Sequence, residues 1–231
     1  MNRPDPDTTP DLSAIITDLH DRSNWMNQPD PDTTPQTAQD VSLKVAIIVG
    51  STRPGRKADT VADWIGDLAA RRGDASYDVV DIADYALPNF DEPLPPLAGH
   101  YSHPHTQRWA ATIDSYDAFV FVTPEYNHST SGALKNAIDF LFAEWNDKAA
   151  SFVSYGVNGG VRAVEHLRTI MGELKIADVR SAVALSVFDD FQDHTRFAPN
   201  AAHEQNVETM LDELIAWGTA LKTVRASAMG K

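Results

Sequence analysis

The sequence predicts an α/β protein: a five-stranded, parallel, doubly wound sheet with helices on both faces. Three observations predict it. Five short apolar runs alternate with five stretches of helical period, and such alternation calls for parallel strands joined by crossover helices. The run Phe119-Val120-Phe121-Val122 is apolar without a break, as in a strand covered on both faces. The turns after the first, third and fourth strands are rich in glycine, proline and polar residues. All three fall on the carboxyl edge of the sheet, where open α/β sheets bind ligands.

The first strand is Leu43–Val49, short, apolar and β-branched. The turn Gly50-Ser51-Thr52-Arg53-Pro54-Gly55-Arg56 leads into a helix over 57–72 with Val61, Trp64, Ile65 and Leu68 inward. A glycine-rich turn from strand to helix is a phosphate cradle, because backbone N–H groups, hydroxyls and the helix dipole converge on an anion. Ser51, Arg53 and Arg56 are the candidate ligands, the arginines adding charge and a bidentate fork. Neither arginine has another evident use at this turn, which favours an anion over an ordinary cap. Gly50 and Gly55 have P-loop spacing, but Arg56-Lys57-Ala58 follows, with no hydroxyl for magnesium. The dinucleotide fingerprint GxGxxG is absent from this turn.

The second strand is predicted over 77–82, followed by a proline-rich loop over 84–96. Leu87 and Phe90 in that loop either border a ligand or cover the sheet edge. His100, His103 and His105 come next. Their spacing lacks the regular ligand set of a zinc site, and Pro104 suits the first turn of a helix, so they read as solvent-exposed ahead of a helix over 106–115.

The stretch 118–145 organises the chain. Its strand stops at Pro124, which cannot donate to a sheet ladder. Leu134, Ala137, Ile138, Leu141, Phe142 and Trp145 then share one face of a helix predicted to run to Trp145. Between strand and helix lies Glu125-Tyr126-Asn127-His128-Ser129-Thr130-Ser131-Gly132, where free helix N–H groups favour an anionic or electron-rich partner. The fourth strand, over 149–154, ends in Tyr155-Gly156-Val157-Asn158-Gly159-Gly160, whose glycines let a planar ligand approach the backbone. A helix over 161–174, a fifth strand over 179–187, an acidic and aromatic loop over 188–199 and a helix over 201–224 complete the pattern. The pair Asp189-Asp190 sits in that loop without an evident partner.

A chain of 231 residues, 42% apolar, suits one domain with an extension. The extension is 1–42, where MNRPDPDTTP recurs almost unchanged as MNQPDPDTTP. Two copies cannot form a solenoid, and a segment rich in Pro, Asp and Thr reads as flexible. Leu12, Ile15, Ile16 and Leu19 have the spacing of one short docking helix. The domain proper is 43–231. With no cysteine there is no disulfide, thiol nucleophile or zinc–thiolate site. No signal peptide or membrane-spanning run is visible, so a cytoplasmic location is expected. A net charge of −14 argues against nucleic acid as a partner. No Ser-His-Asp pattern or metal set stands out, which fits an enzyme whose difficult chemistry belongs to a cofactor.

The segment from Pro124 to Asp139 resembles the signature PEYNxSxxGxLKNAID of the NAD(P)H-dependent FMN reductases, flavodoxin-like flavoproteins that include quinone, azo-dye and chromate reductases. Ser131 stands where many relatives carry proline. The first turn resembles the family's phosphate loop G-S-x-R-x-G, with Arg56 and Ala58 in place of the usual Ser and Asn. The resemblance begins at about Leu43 and covers none of the extension. It implies a flavodoxin-like strand order 2-1-3-4-5, with FMN at the switch point between strands one and three. By resemblance the FMN phosphate rests on Ser51, Arg53 and Arg56. Its ring rests on Pro124, Glu125, Tyr126 and Asn127 and borders Tyr155, Gly156, Gly159 and Gly160, with the proline-rich loop nearby. The implied activity is ping-pong. NADPH (or NADH) gives hydride to flavin N5 and leaves, and a small-molecule electron acceptor such as a quinone or free flavin takes its place. The family forms homodimers or homotetramers. Two alternatives belong to other classes: a flavin-binding electron carrier without NAD(P)H activity, and a flavin-free domain used for regulation or assembly.

Overall fold

The computed structural model describes residues 42–229. The duplicated segment and the short helix expected from Leu12 to Leu19 lie outside the described residues. The described residues belong to one compact unit, Ser42–Lys231. Its strands are β1 (Leu43–Val49), β2 (Ala75–Asp81), β3 (Ala118–Pro124), β4 (Ala149–Gly156) and β5 (Ala177–Ser186). They form one parallel sheet in the order β2-β1-β3-β4-β5, as the sequence predicts.

Among the described residues five α-helices cover the sheet: α1 (Ala58–Ala69), α2 (Pro104–Asp114), α3 (Gly132–Asp139), α4 (Val161–Glu173) and α5 (Ala202–Met229). Successive strand residues point to opposite faces, so the central strands feed two cores. Val45, Ile47, Val49, Val120 and Val122 pack with Val61 and Ile65 of α1 and Val207 and Leu211 of α5. Ala46, Ile48, Phe119 and Phe121 pack with Trp109 of α2, Ile138 of α3 and Leu167 of α4. β1, β3 and β4 are buried along nearly their whole length, which is why they read as unbroken apolar runs.

Two elements depart from the expectation. The helix predicted to run to Trp145 stops at Asp139, and a 3-10 turn over Ala143–Trp145 follows. Phe140 and Leu141 are both fully buried. In a continuing helix they would point about 100° apart, and one would face out. Leaving the helix buries both, and Trp145 folds back so that its indole N–H donates to the Ile138 carbonyl at 3.2 Å. The loop over 188–199 is not irregular throughout. It forms a small antiparallel hairpin of β6 (Phe191–Gln192) and β7 (Arg196–Phe197). Among the described residues no helix is long and apolar enough to cross a membrane.

Candidate functional site

The carboxyl ends of β1, β3, β4 and β5 carry the turns that meet at one cavity of about 440 Å³. The turn after β1 contributes Arg53, Gly55, Arg56 and Lys57, and the end of β3 contributes Pro124, Glu125 and Tyr126. The end of β4 contributes Tyr155, Gly156 and Val157, and the segment after β5 contributes Val187 and His194. The volume is that of a small-ligand site.

The β1 turn hangs from the neighbouring strand. Gly50 N–H donates to the Val122 carbonyl at 2.8 Å, and a Cβ on Gly50 would lie 2.5 Å from that oxygen. Only glycine fits this approach. Ser51 is fully buried, and its Oγ lies 3.2 Å from the Tyr126 hydroxyl, joining the β1 turn to the β3 turn. Arg53 is exposed and has no ion-pair or side-chain hydrogen-bond partner among the described residues. Arg56 does not share that freedom. Its guanidinium takes both carboxylate oxygens of Asp81 and donates to the Ser51 carbonyl at 2.7 Å. The expectation that both arginines lack other use is therefore corrected: Arg56 supports the loop, because Val49 and Asp81 are cross-strand partners and bring the carboxylate beneath it.

The β3 turn is a tight reversal. Tyr126 and Ser129 exchange backbone hydrogen bonds at 2.9 and 3.2 Å, and Asn127 and His128 between them have φ of 48° and 74°. Asparagine tolerates that left-handed region better than most residues. Asn127 stands exposed at the tip, outside the cavity lining. The Glu125 carboxylate accepts from the Arg162 N–H at 3.1 Å and pairs with the Arg162 guanidinium. It thus caps α4 and locks the β3 turn to the β4 turn. Ser131 caps α3, accepting from Leu134 N–H at 3.0 Å and donating to the Gly50 carbonyl at 2.6 Å. Asn136 holds the proline-rich loop by donating to Pro88 and accepting from Phe90, whose ring meets Phe140 edge-on.

In the β4 turn, Gly159 and Gly160 are buried beneath the loop and do not line the cavity. Gly160 has φ of 73°, and a Cβ there would meet Ser154 and Tyr155 within 3.0 Å. Gly156 does line the cavity. The Tyr155 hydroxyl is buried without a hydrogen-bond partner among the described residues, and burial pushes its pKa up.

Lys57, Val157, Val187 and His194 line the cavity without having been singled out from sequence. The signal available was position alone: His194 and Val187 follow β5 on the same carboxyl edge. Asp190 in that segment was expected to lack partners. Instead it is buried and accepts from Ser186 N–H at 2.8 Å and Asn200 N–H at 3.0 Å, with His203 Nε2 at 3.1 Å. Away from the site, His103 and His105 stack on each other, and both face Asp91.

The family model for NADPH-dependent FMN reductase matches residues 43–190. The chain is 38% identical over 149 residues to an NAD(P)H-dependent FMN reductase of Schizosaccharomyces pombe, covering 64% of this chain and 74% of the relative. It is 28% identical over 187 residues to a 2-hydroxy-1,4-benzoquinone reductase of Burkholderia sp, covering 77% and 97%. Among solved structures, the flavoenzyme NAD(P)H:acceptor oxidoreductase FerB of Paracoccus denitrificans shares the fold with a TM-score of 0.60 at 22% identity, over 77% of this chain and 98% of that one. The residues here fit the flavin mononucleotide of the matched family. Among the described residues, Arg53 stands unpaired at a glycine-rich turn and the buried hydroxyl of the cavity-lining Tyr155 lacks a partner.

Proposed function

The chain belongs to the NADPH-dependent FMN reductase family, and from that membership we propose that its cavity holds FMN and serves the reduction of a quinone, a free flavin or a like small acceptor by NADPH or NADH. FMN held there would supply the hydride chemistry, with the nucleotide and the acceptor using the cavity in turn, in ping-pong order. Arg53 would hold the phosphate at the amino end of α1, where unpaired N–H groups already favour an anion, while Ser51, which is buried and does not line the cavity, would brace the turn against Tyr126. Tyr126 and Gly156 would bound the ring, and Pro124, at the end of β3, sets the floor between them. The Glu125–Arg162 pair fixes the two ring-side turns relative to each other, so the ring would meet preorganised backbone dipoles.

The single observation that carries this reading is the meeting of the Arg53 turn with the Tyr126 and Gly156 turns around one cavity at the switch point of the sheet. A homodimer or homotetramer, in the cytoplasm, belongs to the same proposal. Its support is an apolar groove between α3 and α4, lined by Ile138, Phe142, Ile170 and Leu174 and edged by the exposed Leu97. The test is an absorbance spectrum of FMN-soaked, desalted protein before and after anaerobic NADPH, with light scattering on the same preparation. A retained flavin band that bleaches, on an assembly larger than one chain, is expected. A retained band that NADPH and NADH both leave untouched would make the protein an electron carrier instead.

A further inference from the structure

Among the described residues that line the cavity, Glu125 is the one that carries a carboxylate. It stands between the two ring-side turns. Its N–H donates to the Tyr155 carbonyl at 3.2 Å, and its Cβ lies 3.4 Å from where a Cβ on Gly156 would stand. Its side chain is only 7% exposed. A carboxylate withdrawn from water needs a fixed partner in place of its hydration shell.

That partner comes from the first turn of α4. The Arg162 N–H, which has no acceptor within its own helix, donates to Glu125 Oε2 at 3.1 Å, and the helix dipole adds to it. The Arg162 guanidinium pairs with Glu125 Oε1. Arg162 itself does not line the cavity. Its Nη1 donates to His128 Nδ1 at 3.2 Å, which ties the guanidinium to the tip of the β3 turn. Its Nε is buried without a hydrogen-bond partner among the described residues, a cost that the pairing with Glu125 offsets. The cavity wall therefore presents a carboxylate whose charge is cancelled from outside the cavity.

Hydride carries two electrons and one proton, so a flavin ring that receives it gains one negative charge. One uncompensated unit charge at about 10 Å, at an effective permittivity of about 20, changes such an equilibrium on the order of tenfold. We propose that Arg162 sets the reduction potential of the bound flavin, by cancelling the Glu125 carboxylate that the reduced ring would otherwise face. This rests on the flavin-reductase reading above and names a determinant of its driving force. Arg162 is a positioning residue here, because it acts only through Glu125.

The test uses the full chain loaded with FMN, at about pH 8, where a carboxyl group of ordinary pKa is ionised. Wild type, Glu125→Gln, Arg162→Gln, Arg162→Lys and the double variant Glu125→Gln/Arg162→Gln are each reduced anaerobically in equilibrium with a dye of known potential. In Glu125→Gln, which keeps an oxygen for the Arg162 N–H, the preference for reduced over oxidised FMN rises about three- to tenfold. That is an upward shift of about 15–30 mV for a two-electron couple. In Arg162→Gln the preference falls by a like factor, and the double variant returns to within about twofold of wild type. Arg162→Lys keeps the charge and stays near wild type. If Arg162→Gln fails to fold, the rise in Glu125→Gln still decides, since a pair that only braced the turns would give none. Shifts of the same sign in the two single variants, no shift in either, or a shift in Arg162→Lys as large as in Arg162→Gln overturns the proposal. Folded variants that no longer retain FMN overturn it too. Wild-type protein that binds no FMN would instead overturn the underlying function, and the flavin spectrum tells the two failures apart.

Discussion

Arg56 gives its guanidinium to Asp81 and the Ser51 carbonyl, whereas Arg53, in the same turn, reaches no acidic partner among the described residues. The two arginines therefore predict different losses. Arg56→Ala strands a partly buried carboxylate and frees the turn, and should lower the unfolding free energy of the cofactor-free protein by about 1–3 kcal/mol, read in urea. Arg53→Ala should leave that urea curve in place. The sequence shows both arginines, but the difference between them depends on Asp81, which is remote in the chain and reaches the turn only through the pairing of β1 with β2. The same holds for Glu125, whose partner Arg162 lies on another element.

At the scale of elements, several residues of the segment after β3 support the site without lining it. Ser131 caps α3, Asn136 clamps the proline-rich loop, and Lys135 pairs with Asp139 one turn on. The β4 turn depends in the same way on Gly160, whose φ of 73° and close neighbours leave no room for a side chain. Gly160→Ala should cost about 1–3 kcal/mol of stability through strain, with the loss visible in thermal unfolding. An unchanged melting temperature would mean that the turn relaxes freely. The strands and the three turns, though not the strand order, which comes from the family resemblance, are legible from the sequence because burial on both faces leaves unbroken apolar runs. The end of α3 was not, because Leu141 and Trp145 keep helical spacing whether or not the backbone stays helical. The hairpin after β5 was not, because two-residue strands carry too few residues for a period. Nor were His194 and Lys57 as lining residues, since each is placed by contacts outside its own element.

For the whole molecule, the amino edge of the sheet sets a pH dependence separate from the site. Lys148 is buried against the end of α2, donating to the Ile113 and Asp114 carbonyls at 2.8 and 3.1 Å. Burial pulls its pKa down from 10.5 to about 8. Between those values the unfolded chain holds the proton and the folded chain does not, so this residue makes stability rise with pH across that window. Above about pH 10 partly buried tyrosines oppose it, Tyr116 among them with its pKa pushed up to about 12 by desolvation and the nearby Asp78, because the folded state then keeps protons that the unfolded state loses. Lys148→Met should flatten the wild-type rise between pH 8 and 10 in urea midpoints. Parallel curves for the two proteins would show that the amine titrates normally. The central claim is narrower: a flavin whose phosphate sits on the Ser51–Arg53 turn. Its most direct test is to titrate FMN and riboflavin, which differ only by the phosphate, into wild type and Arg53→Ala and follow flavin fluorescence. The account predicts that wild type binds FMN far more tightly than riboflavin, and that Arg53→Ala weakens FMN by about ten- to a hundredfold while leaving riboflavin unchanged. Equal affinity for the two ligands in wild type, or an FMN affinity indifferent to Arg53, would contradict it.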